Sequence, residues 1–205
     1  MTLPLQPALP LALADILPAA GVLARAFYSD PFFTYALPEA ARRERMLPWF
    51  YEKFLRYGLT YGQVYTTPSL EGVAIWLGPE KHTLAWLGII QSGLIRLPLK
   101  LRLSELQRSL RLSNYADRLH AAAVSAPHWY LCELGVEPSR QGRGVGRLLL
   151  QPVLARADSQ SLCCYLETNN EQNLPFYHSN GFSVVNQGQA ASDSPVTWAM
   201  LRKPA

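Results

Sequence analysis

Residues 131–147 read LCELGVEPSRQGRGVGR, and the fold turns on how that stretch is parsed. Leu131 to Val136 is an apolar run with a single charge, the pattern of a strand covered on both faces. Glu137-Pro138-Ser139 ends it, because proline cannot extend a ladder. Gly142, Gly144 and Gly146 follow, interleaved with Arg140, Arg143 and Arg147, and an apolar helical repeat runs on through Val145, Leu148, Leu149 and Val153. The stretch is therefore a strand, a glycine-rich turn and a helix N-terminus. A helix start leaves N–H groups unpaired and adds partial positive charge beyond them. Glycines let phosphate oxygens come close, and arginines supply screening charge, so the turn should bind a phosphate or pyrophosphate. The spacing is G-x-G-x-G, which is neither the G-x-G-x-x-G of dinucleotide sites nor the P-loop pattern. On glycine spacing alone, an ordinary strand-to-helix turn with solvated arginines stays open.

A second stretch, LETNNEQNLPFYHSNGF at 166–182, narrows the choice. Asn173 can cap a helix, Pro175 fits its first turn and Gly181 can end it. Together the two stretches resemble the GNAT family of acetyl-CoA-dependent N-acetyltransferases. That family's [RQ]-x-x-G-x-[GA] is met by Gln141, Gly144 and Gly146, and its N-x-x-x-Y-x-x-x-G-F by Asn173, Tyr177, Gly181 and Phe182. From His128 onward the sequence is most similar to the puromycin N-acetyltransferase branch. Before His128 the likeness is only an order of elements, so no substrate transfers with it.

Composition is compatible with such an enzyme. The chain has 205 residues, 49% hydrophobic and 17% charged, enough for one globular domain spanning 1–205 with a substantial core. Cys132, Cys163 and Cys164 lie in apolar runs without C-x-x-C spacing and read as reduced residues of a cytoplasmic protein. A net charge of +4 suits a polyanionic cofactor and is too diffuse for nucleic acid. No basic region precedes the apolar N-terminal residues, so no targeting peptide is expected.

A weak first strand is expected at Leu3 to Leu9, and a helix from Asp15 with Ile16, Ala19, Ala20, Leu23 and Phe27 on one face. Ser29-Asp30-Pro31 should stop it, leaving Phe32, Phe33 and Tyr35 in a turn before a helix over Glu39 to Tyr57. Antiparallel strands follow at 62–66 and 71–77, the second ending in Trp76-Leu77. In 82–126 leucines alternate with Arg96, Lys100, Arg102, Arg108 and Arg111. Amphipathic helices covering an acceptor cleft are the main expectation there; a basic surface for a membrane or partner is the alternative. His128 to Val136, a helix kinked at Pro152, and Leu162 to Glu167 should form a parallel β-α-β unit. Strands at 182–185 and 196–201 complete an α/β (α+β) fold: a mixed, mostly antiparallel sheet with a central parallel pair and helices on both faces.

The resemblance implies a mechanism. Acetyl-CoA would pair with the backbone of Leu134, Gly135 and Val136, and its pyrophosphate would sit on Gln141, Gly142, Arg143, Gly144, Val145 and Gly146, with Asn173 a further contact. A small-molecule primary amine would attack the thioester directly, with the Val136 N–H polarising the carbonyl. Tyr177 would protonate the departing thiolate: a phenol with pKa near ~10 keeps its proton at neutral pH, and a thiol near ~8.5 can take it. Glu133 and Glu167 are both candidates for the general base, since a buried carboxylate is costly unless paired or functional. Phe32, Tyr35 and Trp76 are the expected acceptor wall, each with core packing as the competing role. No metal-ligand spacing is present. A homodimer is compatible with this reading and not required by it. A non-catalytic acyl-CoA sensor or membrane-associated module remains the rival.

Overall fold

A computed structural model of the chain describes residues 6–79 and 86–205. It contains one seven-stranded sheet in the order β1-β2-β3-β4-β5-β7-β6. The strands are β1 (Leu9–Pro10), β2 (Gly62–Thr66), β3 (Gly72–Leu77), β4 (His128–Val136), β5 (Cys163–Thr168), β6 (Ser183–Gln189) and β7 (Val196–Arg202). Every pairing is antiparallel except β4 with β5, which run parallel from His128↔Cys163 to Leu131↔Leu166. The expected mixed sheet with a central parallel pair is what the chain forms. The first strand is shorter than expected, and residues 1–5 lie outside the described part.

The helices sort onto the two faces by strand alternation. In β3, Val73, Ile75 and Leu77 pack with α1 (Ile16–Ala26) and α3 (Ala40–Tyr61), while Ala74 and Trp76 pack with α7 (Val145–Ser159) and α8 (Leu174–Ser179). A strand's period of two makes this division automatic once both faces are apolar. The other helices are α2 (Pro31–Ala36), α4 (Trp86–Ser92), α5 (Leu97–Lys100) and α6 (Leu103–Ala123). Of these, α6 lies over β5, β7 and β6 through Leu119 against Tyr165 and Ala199, on the same face as α1 and α3.

Three expectations change in detail. The predicted turn at Phe32 to Tyr35 is a helix, α2, because Asp30 Oδ1 accepts from the Phe32 N–H at 2.9 Å and Pro31 takes the first position. Helix α3 extends past Tyr57 to Tyr61 and passes through Pro48. The basic segment divides its work: α6 covers the sheet, whereas α4 packs on α3 rather than over a cleft. Residues 80–85, where that segment begins, lie outside the described part.

One ion pair joins the two halves of this face. Arg42 of α3 places Nε and Nη2 3.0 and 2.5 Å from the carboxylate oxygens of Glu105, an almost fully buried residue in the first turn of α6. Glu105 also accepts from the Arg102 N–H, and the Arg42 contact holds its carboxyl below the usual range. Removing one partner of such a pair leaves an uncompensated buried charge. Arg42→Ala should therefore cost roughly 3 kcal/mol in urea unfolding. Glu39→Ala, which deletes the exposed pair with Arg102, should cost less than about 1 kcal/mol.

Candidate active site

The site is built around one extra residue in β4. Ile75 pairs with Glu133 and Trp76 with Leu131, so Cys132 is the surplus residue of a β-bulge. Trp129 and Leu131 therefore face α7, as do Leu134 and Val136, while Tyr130, Cys132, Glu133 and Gly135 all face α1, α3 and α6. Pairing of β4 with β5 also stops at Leu131, and five more residues of β4 run on beside a gap.

The polarity of that free edge follows from register. Glu137 N–H donates to the Glu71 carbonyl at 2.8 Å, and Glu71 stands opposite Glu137 in the register of the β3–β4 ladder. Hydrogen-bonding direction alternates along an antiparallel strand, so Gly135 is spent on β3 whereas Leu134 and Val136 point their N–H and C=O groups at the gap. This corrects the expected role of Gly135. It is small because α1 presses on it: a Cβ there would lie 2.7 Å from Leu23 Cδ2 and 3.0 Å from Phe27 Cε2.

At the end of the gap, a short 3-10 turn at Pro138–Arg140 leads into the glycine loop. Gly142 and Gly144 have φ of 71° and 85°, the left-handed region that favours glycine, and a Cβ on Gly142 would meet open space. Among the described residues, none of the N–H groups from Gly142 to Arg147 has a hydrogen-bond partner; the first bond of α7 comes from Leu148 to the Gly144 carbonyl. The loop thus offers a run of unspent donors at a helix N-terminus, with Val145 buried below as an anchor. Arg143 and Arg147 are exposed and make no ion pair among the described residues, while Arg140 Nε contacts Glu71 at 3.2 Å. Gln141 differs from expectation: its Nε2 donates to the Val136 carbonyl at 3.2 Å, so it fastens the loop to β4 and leaves the Val136 N–H open. Gly146 has Phe176 of α8 3.1 Å from its would-be Cβ, which brings the two sequence signatures together.

Residues 111–184 match the acetyltransferase (GNAT) domain. An uncharacterised N-acetyltransferase of Schizosaccharomyces pombe is 28% identical over 174 residues, 82% of this chain and 70% of its own length. A GNAT acetyltransferase domain thus occupies this part of the chain. The chain is an N-acetyltransferase, and its acyl donor is acetyl-CoA. Its fold is similar to that of a Corynebacterium glutamicum protein described as histone acetyltransferase HPA2 and related acetyltransferase, with TM-score 0.67, 23% identity and coverage of 98% and 97% of the two chains. It is also similar to PaiA N-acetyltransferase from Thermoplasma acidophilum, solved with coenzyme A, with TM-score 0.54, 13% identity and coverage of 96% and 97%. These likenesses show the fold, and nothing in them singles out the puromycin branch. No helix among the described residues is long and apolar enough to cross a membrane.

The GNAT site of this chain fits acetyl-CoA on its own geometry. The unspent N–H groups from Gly142 to Arg147 suit a pyrophosphate, and the vacated edge at Leu134 and Val136 suits an amide-bearing arm.

On the opposite side of the gap the chemistry is acidic. Glu133 lies 3.5 Å from the Tyr51 hydroxyl, and burial pushes its carboxyl to about 8, with the nearby Asp30 charge adding to the rise and Tyr51 opposing it. Asp30, which caps α2, is itself raised to about 6 by burial. Glu167 is the first β5 residue beyond the last parallel pair and faces the same side. Burial raises it to about 7, and the neighbouring Tyr130 and Tyr165 phenols pull the other way. The Tyr165 hydroxyl is near enough to favour the carboxylate yet outside hydrogen-bond geometry.

Tyr177 is buried on α8, and its phenol is raised first by burial and then by the charges of Glu133 and Asp30. The two sequence signatures and both candidate bases thus converge on one gap. Asn173 donates from Nδ2 to Thr168 Oγ1 at 3.3 Å, and Asn170, not Asn173, supplies the capping oxygen, to Gln172 N–H. Trp76 does not line the cleft: it is fully buried under α7, on the face opposite Phe32, and is a core residue. Tyr35 is a clamp, with its hydroxyl 3.3 Å from Asp193 Oδ1 and 3.1 Å from Arg111 Nη1. Asp30, Tyr51 and Tyr130 are site residues that sequence reasoning missed; only tertiary packing brings them to Glu133 and Glu167.

Two outcomes follow. Gly144→Val, which forces a β-branched residue to positive φ at the phosphate loop, should weaken acetyl-CoA binding more than about tenfold by calorimetric titration, with the circular dichroism spectrum retained. Glu133 has a folded pKa raised from its ordinary 4.5, so it favours folding most below that value and loses this contribution as pH rises through about 8. Glu133→Gln should accordingly melt a few degrees above the parent at pH 9 and level with it near pH 4.5.

Proposed function

We propose that this GNAT enzyme acetylates the primary amine of a small molecule carrying an apolar or aromatic group. What supports this is a cavity of about 120 Å³ between α2, α3, α5 and α6. Its lining includes Phe32, Phe33, Phe50, Met46 and Leu97, with Ser109 and Ser113 of α6 as its polar members. The Phe33 ring packs against Tyr51 at 5.9 Å between centroids, and Tyr51 reaches Glu133, so the cavity lies one ring away from the acids. A space of that size and lining suits a small ring or short alkyl group.

The chemistry then divides among named groups. Bound acetyl-CoA supplies a thioester, and amide formation takes from the amine a proton it can no longer keep. Glu133 accepts that proton as the new C–N bond forms. The Val136 N–H, left open by Gln141, donates to the carbonyl oxygen as charge collects there. Tyr177 gives its phenolic proton to the departing sulfur. Proton uptake by Glu133 aids this directly, because it removes a charge that holds the Tyr177 proton in place. The proton on Glu133 then restores the phenol.

Screening thiol release against a panel of amines tests the acceptor class: apolar and aromatic primary amines should be turned over, and preference for highly polar or peptide amines would overturn it. Tyr177→Phe should lower kcat by about a hundredfold with acetyl-CoA affinity unchanged; a parent-like kcat removes Tyr177 from the mechanism.

A further inference from the structure

The basic segment that carries α5 and the start of α6 keeps one face uncovered among the described residues. A 3-10 turn at Leu94–Arg96 runs straight into α5, and Leu101 and Arg102 link α5 to α6. Core-facing positions in this elbow fall to Leu94, which is buried, and to Leu97 and Leu101, which are half-buried against the cluster of α1 and α3. The side chains between them turn outward: Ile95 is 40% exposed, Leu99 87% and Leu103 72%. Leu110 stands seven residues after Leu103 and so shares its side of α6, away from the buried Glu105, Leu112 and Leu119. Single exposed leucines are commonplace. Here, however, five of the nine large apolar side chains exposed among the described residues fall between Ile90 and Leu110, and such a concentration marks a contact surface.

Charge on the same stretch has one sign. Residues 86–116 hold Arg96, Lys100, Arg102, Arg108 and Arg111 against a single acid, Glu105, which is buried and committed to Arg42. Arg96 makes no ion pair among the described residues. The Lys100 ammonium rests over the Trp49 ring, 5.1 Å from its centroid. On neighbouring α3, Glu52 is spent on Lys53 and Arg56, and Glu39, just before that helix, on Arg102. The elbow thus sets protruding aliphatic side chains beside net positive charge. Long basic side chains suit that position, since their stems lie along apolar surface while their heads stay with anions and water. A partner that is apolar inside and anionic outside satisfies both features, and an anionic lipid surface is such a partner. Protein interfaces draw on Trp, Tyr and Arg anchored in complementary pockets, whereas what protrudes here is leucine and isoleucine.

We propose that this elbow docks the enzyme on anionic membrane surfaces. Leu99 and Leu103 enter the boundary between headgroups and acyl chains, and Arg96, Lys100 and Arg102 lie level with the lipid phosphates. The contact is interfacial and asks nothing of the core, because Leu94, Leu97 and Leu101 keep their places in it. Helix α5 also carries Leu97 into the wall of the apolar cavity, so a docked enzyme holds that cavity one short helix away from the lipid.

The test is sedimentation of the full chain with vesicles of phosphatidylcholine, alone or mixed with phosphatidylserine. The mixed vesicles should bind at least about tenfold more tightly, and the difference should shrink as salt is added. Leu99→Ser together with Leu103→Ser keeps the charge and should lower partitioning onto mixed vesicles about tenfold. Arg96→Glu keeps the leucines and should also weaken it severalfold. Both variants should retain the parent's melting temperature and acetyl-CoA affinity, which separates lost docking from lost folding. No partitioning of the parent onto mixed vesicles, or partitioning unchanged in the double serine variant, overturns the proposal. A parent dimer in analytical ultracentrifugation that dissociates in that variant also overturns it, by assigning the face to a second copy. So does soluble polyglutamate that displaces the protein from vesicles at low concentration, by assigning the face to an acidic protein. No measurement here uses an amine, so the result is independent of the proposed acceptor class.

Discussion

The surplus residue in β4 governs the rest of the structure. A regular strand would alternate from Leu131 through Val136 and place Glu133 on the α7 face, among Trp76, Leu149 and Leu166. With Cys132 bulged, Glu133 turns toward Tyr51, and Leu134 and Val136 are brought onto the α7 face instead. The bulge falls next to the last rung shared with β5, where one strand bends and the other does not. The placement of Glu133 beside the gap and the facing of the strand's free end follow from that single insertion.

Two opposite physical demands meet across the gap. On the loop side Arg140 is paired with Glu71, but among the described residues the backbone donors, Arg143 and Arg147 have no anionic partner. On the helix side, Asp30, Glu133 and Glu167 are crowded into low dielectric, and all three carboxyls are held above their ordinary range. The arrangement makes sense as the two halves of a reaction that brings a polyanion from one direction and a cation from the other.

The parts legible from sequence were those fixed by local rules. Strand alternation, the proline at 138 and the glycine spacing of 142–146 located β4, its end and the start of α7, because each depends on neighbours a few residues away. The bulge was not legible, since Leu131 to Val136 reads as a uniform apolar run and only the register of β3 shows the extra residue. Trp76 was misplaced for the same reason: its face is decided by strand pairing, and its position before Gly78-Pro79 carries no sign of it. Asp30 was read as punctuation because Ser29-Asp30-Pro31 is a strong turn signal, and that signal is genuine. The residue does two jobs, and only one of them leaves a trace in the local sequence.

The cations of the cleft-side helices explain why the acids stay acidic in reserve. Arg25 is committed to Glu137, Arg42 to Glu105, Arg43 to the carbonyls of Tyr28, Leu37 and Pro38, and Arg111 to Tyr35 and Asp193. Among the described residues, no lysine or arginine makes an ion pair with Asp30, Glu133 or Glu167. A guanidinium placed there would have pulled their pKa values down and turned them into a stable salt-bridged floor. Such a floor could bind an amine no better than water does and could take no proton from it at neutral pH. Leaving the acids without a lysine or arginine partner costs folding free energy, and on the function proposed above the cation that satisfies them arrives with the acceptor and gives its charge up.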